Sequence, residues 1–147
     1  MAESRMGMML DSSVLIASEK GQLNLALLLQ KEAADRQVVI AAITASELLH
    51  GYERAPAGQR KDQRKQFVEE ILDTIPVLPF NLDIARVHAR LWAQLATSGE
   101  LIGAHDLLIA ATSLTMDYSL ATLNTKEFRR VADLKLMDHE PYRIHGK

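Results

Sequence analysis

Four stretches of this 147-residue chain set an acid, or an amide in its place, against the end of a hydrophobic run. Asp11 interrupts MMLDSSVLI, Glu47 follows VVIAAITAS, Asp106 opens HDLLIAATSLTM, and Asn124 closes YSLATLN with Glu127 one turn further on. A carboxylate in apolar surroundings is costly, so each needs a helix end, a cation or water beside it. Each also has an ordinary structural use. Thr44-Ala-Ser-Glu47 spells a capping box, with Thr44 at the N-cap and Glu47 reaching back to its amide; Asn124-Thr-Lys-Glu127 imitates it. Asp11 and Asp106 can each cap a helix or complement its dipole. Taken together they point elsewhere. Ser12 or Ser13 would cap as well as Asp11, and a serine would cap the nearly apolar helix behind Asp106 with no charge to solvate. Three converging carboxylates repel one another, and a divalent cation removes that conflict. Oxygen donors without cysteine or clustered histidine suit Mg2+ or Mn2+ rather than zinc.

Convergence depends on the elements that carry these residues. Gly7–Leu10 reads as a short buried strand, followed by a helix over Ser12–Ser18 with Gly21 as its stop. Leu23–Arg36 reads as a helix, and the partly β-branched run Val38–Ile43 as a strand covered on both faces. Thr44–Arg54 is a helix with Ala45, Leu48, Leu49 and Tyr52 as its apolar stripe. After the break Ala55–Gly58 comes a charged helix, Gln59–Ile75, and then Pro76–Phe80, whose prolines suit an edge strand. Asn81–Thr97 is a helix carrying Ile84, Val87, Leu91 and Leu95, with Trp92 assigned to the core beside them. His105–Met116 is apolar nearly all round and reads as a central buried helix. Tyr118–Leu123 follows as a strand, Thr125–Val131 as a short helix and Leu134–Met137 as a last edge strand. Alternation of strands and helices predicts an α/β fold: a mostly parallel sheet of about four to five strands, flanked by helices on both faces. A single domain is expected over 8–142, with terminal tails at 1–7 and 143–147. In such sheets ligands bind beyond the carboxyl ends of the strands, which is where Asp11, Glu47 and Asn124 fall.

Composition narrows the classes. Hydrophobic residues make up 48% and charged residues 24%, ordinary for a globular protein, and with no cysteine there are no disulfides or thiolate metal sites. A net charge of −2 excludes a generally basic nucleic-acid wrapper but leaves room for local basic patches, here Gln59–Lys65 and Arg129–Arg130. Their plainer reading is solvated helix surface. Met1–Gly7 lacks the apolar core of a secretory signal, and no run approaches a membrane span, so no membrane contact and a cytoplasmic location are expected. The five histidines show no metal-ligand spacing; His105 adjoins Asp106, at the entry of its helix. Ser12 has no neighbouring base to make it a nucleophile. His50 and Arg54 share a face with Glu47, so Arg54 either meets a phosphate or neutralises that acid.

LDSSVLI, ITASELLHG, HDLLIAAT and ATLNTKEF, in this order, resemble the motifs of PIN-domain ribonucleases, specifically the VapC-type toxins of bacterial toxin–antitoxin pairs. The likeness runs from about Met9 to the C-terminal region. It implies a PIN-like domain and a metal-dependent endoribonuclease that hydrolyses RNA with metal-activated water. Asp11, Glu47 and Asp106 match the family's first three acids and would hold the ion. The fourth catalytic position falls on Asn124 or Glu127. Where the family commonly reads Asp-Thr-Asn, this chain has Asp11-Ser12-Ser13: Ser12 keeps a hydroxyl for the substrate and Ser13 loses an amide. Arg54, Lys126, Arg129 and Arg130 are candidates for attracting the RNA backbone. The resemblance also implies a homodimer and a cognate antitoxin covering the site; the apolar residues of Leu23–Leu29 either receive that antitoxin or pack on the sheet. Two alternatives remain open at this point. One is a phosphoacceptor signalling domain, with Asp11 as acceptor and Lys126 as its late lysine. The other is a PIN-like scaffold that has lost catalysis, suggested by Ser13 and Asn124.

Overall fold

β1 (Gly7–Leu10), β2 (Gln37–Ala41), β3 (Val77–Leu78) and β4 (Ser119–Ala121) form one sheet in the order β3-β2-β1-β4, every neighbouring pair parallel. These positions come from a computed structural model, which describes residues 6–145; of the expected tails, residues 1–5 and 146–147 lie outside the described residues. The two central strands are apolar on both sides because both faces are covered. Met8, Leu10, Val38 and Ile40 point into one core, with Val14 and Leu15 of α1 (Ser12–Glu19) and Leu28 of α2 (Leu25–Glu32). Leu48 of α3 (Ala42–Glu53) and Val68 of α4 (Gln59–Thr74) complete that layer. Met9, Val39 and Ala41 point into a second core with Leu91 and Leu95 of α5 (Leu82–Ser98). Ile109 and Ala110 of α6 (Ala104–Met116) and Phe128 of α7 (Thr125–Phe128) close it. Single-residue alternation along each strand thus sorts the side chains between two helical layers.

The sheet has four strands, at the lower end of the expected range. Leu134–Met137 does not become a fifth: it lies along β4 through one isolated bridge, Leu120 to Leu136. Leu120 donates to Lys135 O and accepts from Met137 N–H, and the ladder stops there. VVIAAI also divides differently from expectation. The strand ends at Ala41 and α3 begins at Ala42, so Ile43 already packs toward the second core from a helix. α2 is shorter than its Leu- and Ala-rich run suggests, capped by Asn24 through Leu27 N–H at 3.0 Å and ending by Ala33.

Trp92 is not a core residue. It is 54% exposed, because on α5 it stands one position past the buried Leu91 and so turns about 100° away from the core. Its ring tilts against His88 at 5.7 Å between centroids, and His88 meets Phe80 edge-on, so the three form a surface row. Close packing governs the other end of the sheet. Gly7 lies so near the Tyr118 ring that a Cβ would collide with it, while the Tyr118 hydroxyl donates to Gln37 Oε1 at 2.9 Å. At the carboxy side, a 3-10 turn at Glu140–Tyr142 packs on the first core; Arg143 bridges to Leu23, and Ile144 N–H reaches Gln22 O at 3.0 Å. Among the described residues no helix is long and apolar enough to cross a membrane.

The strand order has one functional consequence. From β1 the chain steps outward to β2 and β3, then returns to place β4 on the other side of β1. The direction of winding therefore reverses between β1 and β4, and the crevice beyond their carboxyl ends is a topological switch point.

Candidate active site

Asp11 sits at the β1 edge of that crevice. Its N–H reaches Ala121 O of β4 at 2.9 Å, and its carboxylate, 4% exposed, caps α1 by accepting Ser12 N–H on Oδ1 at 2.8 Å. Oδ2 accepts two hydroxyls, from Ser13 at 2.8 Å and from Thr122 at 2.7 Å. A buried anion is tolerable here because three donors replace its water.

Asp106 enters from the first turn of α6 and Glu127 from α7. Between them lies Asn124, whose Nδ2 donates to Asp106 Oδ2 at 3.1 Å and to Glu127 Oε2 at 2.8 Å. An amide with two protons is a neutral spacer that hydrogen-bonds both acids at once. Glu127 also accepts the Gly103 N–H. Glu47 arrives from α3; its Oε2 stands 3.1 Å from His105 Nδ1, while its Oε1 is buried with no hydrogen-bond partner.

This crowding shows in the acid–base balance. The Asp106 pKa is raised to about 7, first by burial, then by its hydrogen bond with Glu127 and the fields of Asp11, Glu127 and Glu47. Glu127 is lowered by the Gly103 N–H and the Asn124 amide, with Arg130 adding to the effect. The two shifts run in opposite directions, so of this pair Asp106 is the acid that keeps its proton to higher pH. The sign for stability follows. The native state holds a proton on Asp106 that the unfolded chain releases near 3.8, so stability falls as pH rises through about 7. Asp106→Asn cannot ionise. It should be more stable than the parent at pH 8 by about 1–2 kcal/mol, once partial exposure is discounted. Urea unfolding at several pH values should show that gap closing toward pH 4, where the parent carries the proton too.

The acids do not serve as the caps their sequences spell. α3 starts two residues before Thr44, whose hydroxyl is buried without a partner, so Glu47 has no N-cap to close and turns toward the crevice. Asn124 occupies the N-cap position of α7 but spends its side chain on the two acids. Asp11 alone of the four does cap its helix. The remaining candidates divide. Ser12 contributes its backbone N–H to Asp11. Arg54 is exposed at the far end of α3, with neither a hydrogen bond nor an ion pair to Glu47. Lys126 is exposed on α7 and unbonded to the acids, and Arg130 donates to Leu101 O at 2.9 Å. Thr122 was not among the sequence candidates; the only signal for it was its place immediately after β4. His105 is both the exposed helix-entry residue its sequence position suggests, 56% exposed at the mouth, and a partner of Glu47 within the crevice.

Does the donor set fit a divalent ion? As the side chains are turned, no three acid or imidazole groups among the described residues already stand around one point. The chemistry fits nonetheless. Asp106 feels the charges of Asp11, Glu47 and Glu127, all hard oxygen donors, and Glu47 Oε1 is a buried acceptor with nothing to accept. Asp11, Glu47 and Asp106 are the residues that would hold it.

Comparison with known proteins places this geometry. Residues 8–134 match the family model described as PIN domain. The chain is 35% identical over 132 residues to Ribonuclease VapC of Rickettsia bellii, covering 90% of this chain and 96% of that protein. Among solved structures, VapBC2 from Rickettsia felis, bound to a DNA fragment from its promoter, superposes with a TM-score of 0.82 at 26% identity, covering 90% of this chain and 98% of that one. VapBC-1 from nontypeable Haemophilus influenzae gives a TM-score of 0.78 at 28% identity, covering 92% and 99%.

Proposed function

The chain belongs to the VapC branch of the PIN-domain family, and from that premise we propose that it is the toxin of a toxin–antitoxin pair, an endoribonuclease using Mg2+ or Mn2+. The observation that carries the reading is that Asp11, Glu47 and Glu127, from three other elements, lie close enough to Asp106 for their charges to act on it, at the switch point between β1 and β4. A bound divalent ion supplies a water of lowered pKa and neutralises charge on the attacked phosphate. The side chains do the rest. Ser13 and Thr122 fix the Asp11 carboxylate, and Asn124 keeps Asp106 and Glu127 side by side. Lys126 and Arg129, exposed next to the acidic crevice on α7 and its C-cap, are placed to attract an RNA backbone that the acids would repel. Arg54 is more distant and would act on flanking nucleotides.

The phosphoacceptor alternative finds no support: Asp11 has hydroxyl and amide partners rather than a second acid, and Lys126 makes no bond to it. The partner is a cognate antitoxin, a reading that the VapBC complexes among the structural relatives support; in this reading it covers the crevice, and the protein works as a cytoplasmic homodimer. The test is direct. Purified protein with Mn2+ should cut single-stranded RNA internally and leave DNA of the same sequence whole, and the product of the adjacent reading frame should stop it. Intact RNA under those conditions, or equal cleavage of DNA, refutes the assignment.

A further inference from the structure

Ser13, third in the Asp11-Ser12-Ser13 triplet, stands where the resemblance leads one to expect an asparagine. The hydrogen bonds around Ser13 show that a hydroxyl has taken up a defined task. Leu123 N–H donates to Ser13 Oγ at 2.9 Å, and Asn124 N–H donates to Thr122 Oγ1 at 3.0 Å. With those lone pairs engaged, both hydroxyl protons are free to point at one atom, Asp11 Oδ2, at 2.8 and 2.7 Å. The two oxygens are 3.4 Å apart, so they flank Oδ2 as a pair.

From this we infer that Ser13 is a positioning residue of the active site: with Thr122 it clasps the β1–α1 turn to the β4–α7 loop and so sets Asp11 relative to Asp106 and Glu127. Asp11 N–H to Ala121 O already joins the strand ends. The Ser13 bond reaches two residues further, to Leu123, immediately before the Asn124 whose amide holds the other two acids. Without it, the Asp11 carboxylate is tied to the Asn124 segment through the Thr122 hydroxyl, with the strand-end bond to Ala121 behind it. Metal-site residues of this second layer typically change ion affinity by about 10- to 100-fold when removed.

The inference rests on the nuclease reading, and the experiment separates the two. In the full-length protein, Ser13→Ala should weaken Mn2+ binding in calorimetry without RNA by about tenfold. It should lower kcat for RNA cleavage and leave KM unchanged, and Ser13→Thr, which keeps the hydroxyl, should restore both. A Ser13→Ala protein that binds Mn2+ and cleaves like the parent overturns the proposal, as does failure of Ser13→Thr to restore either. A readout independent of ion and RNA is the double-mutant cycle of Ser13→Ala with Asp11→Asn on urea unfolding. Non-additivity of about fivefold or more in the unfolding constant is expected, and additivity refutes the clasp. Were the parent to bind no Mn2+ and cut no RNA, the nuclease reading alone would fall, and the cycle would still decide whether Ser13 holds Asp11.

Discussion

Asp11→Asn should lose RNA cleavage by about 10³-fold or more while circular dichroism shows an unchanged fold; a loss of that size corresponds to about 4 kcal/mol of transition-state stabilisation. The substitution is nearly isosteric, and the side chain stays buried at the end of β1. What changes is charge and donor pattern. Oδ1 and Oδ2 both accept hydrogen bonds, from Ser12 N–H and from the Ser13 and Thr122 hydroxyls, whose orientations are set by Leu123 N–H and Asn124 N–H. An asparagine brings an NH2 group to face one of these donors, so one bond must break. The variant should therefore be less stable by about 1–3 kcal/mol as well as inactive. Asp106→Asn should be just as inactive, yet gain stability at pH 8, because there the substitution removes a strained charge instead of a satisfied one. Two like substitutions at one site, equal in activity and opposite in stability, separate the roles of the two acids. Near-parental cleavage by either variant would overturn the site.

Chelation should abolish cleavage, with Mg2+ or Mn2+ restoring it. It should also act on the protein without any substrate. Burial holds the Asp106 pKa up at about 7, and the charges of Asp11, Glu127 and Glu47 add to it, so a cation among them relieves a cost the folded chain otherwise bears. An ion that binds only the native state raises stability by about 2.7 kcal/mol at 100 times its Kd. Thermal unfolding at pH 8 should thus shift upward with Mn2+ in the parent and much less in Asp106→Asn. Binding must also displace the proton from Asp106, so the shift should shrink as pH falls below 7. Cleavage that persists in excess chelator would exclude the metal-dependent mechanism.

Most of the architecture was legible because hydrophobic period and length agree. Strands buried on both faces read as continuous apolar runs, and β1 and β2 lie where those runs are. The errors have specific causes. In VVIAAITAS an apolar run crosses from strand to helix without a break, so Thr44 could be taken for a cap although α3 begins at Ala42. Trp92 reads as core beside the aliphatic stripe of its helix, whereas its position one residue past Leu91, on a helix with a narrow buried stripe, turns it outward. Leu134–Met137 has strand-like residues but pairs through Leu136 only. At the site, charge made the acids visible. Thr122 and His105 carry no comparable mark, since their significance lies in which atoms face them across 111 and 58 residues of chain.

The order of the strands also bears on when this protein becomes dangerous to the cell that makes it. β4 is the last of these four strands to leave the ribosome and docks against the first, so the crevice has only one wall until Ser119–Ala121 has been synthesised. Fragments ending before Ser119 lack Thr122, Asn124 and Glu127, and with them one of the three donors to the Asp11 carboxylate and the amide on Asp106. With the proposed site so divided, fragments from interrupted translation should be inactive, and activity should wait for a pairing between distant parts of the chain, among the slowest kinds of contact to form.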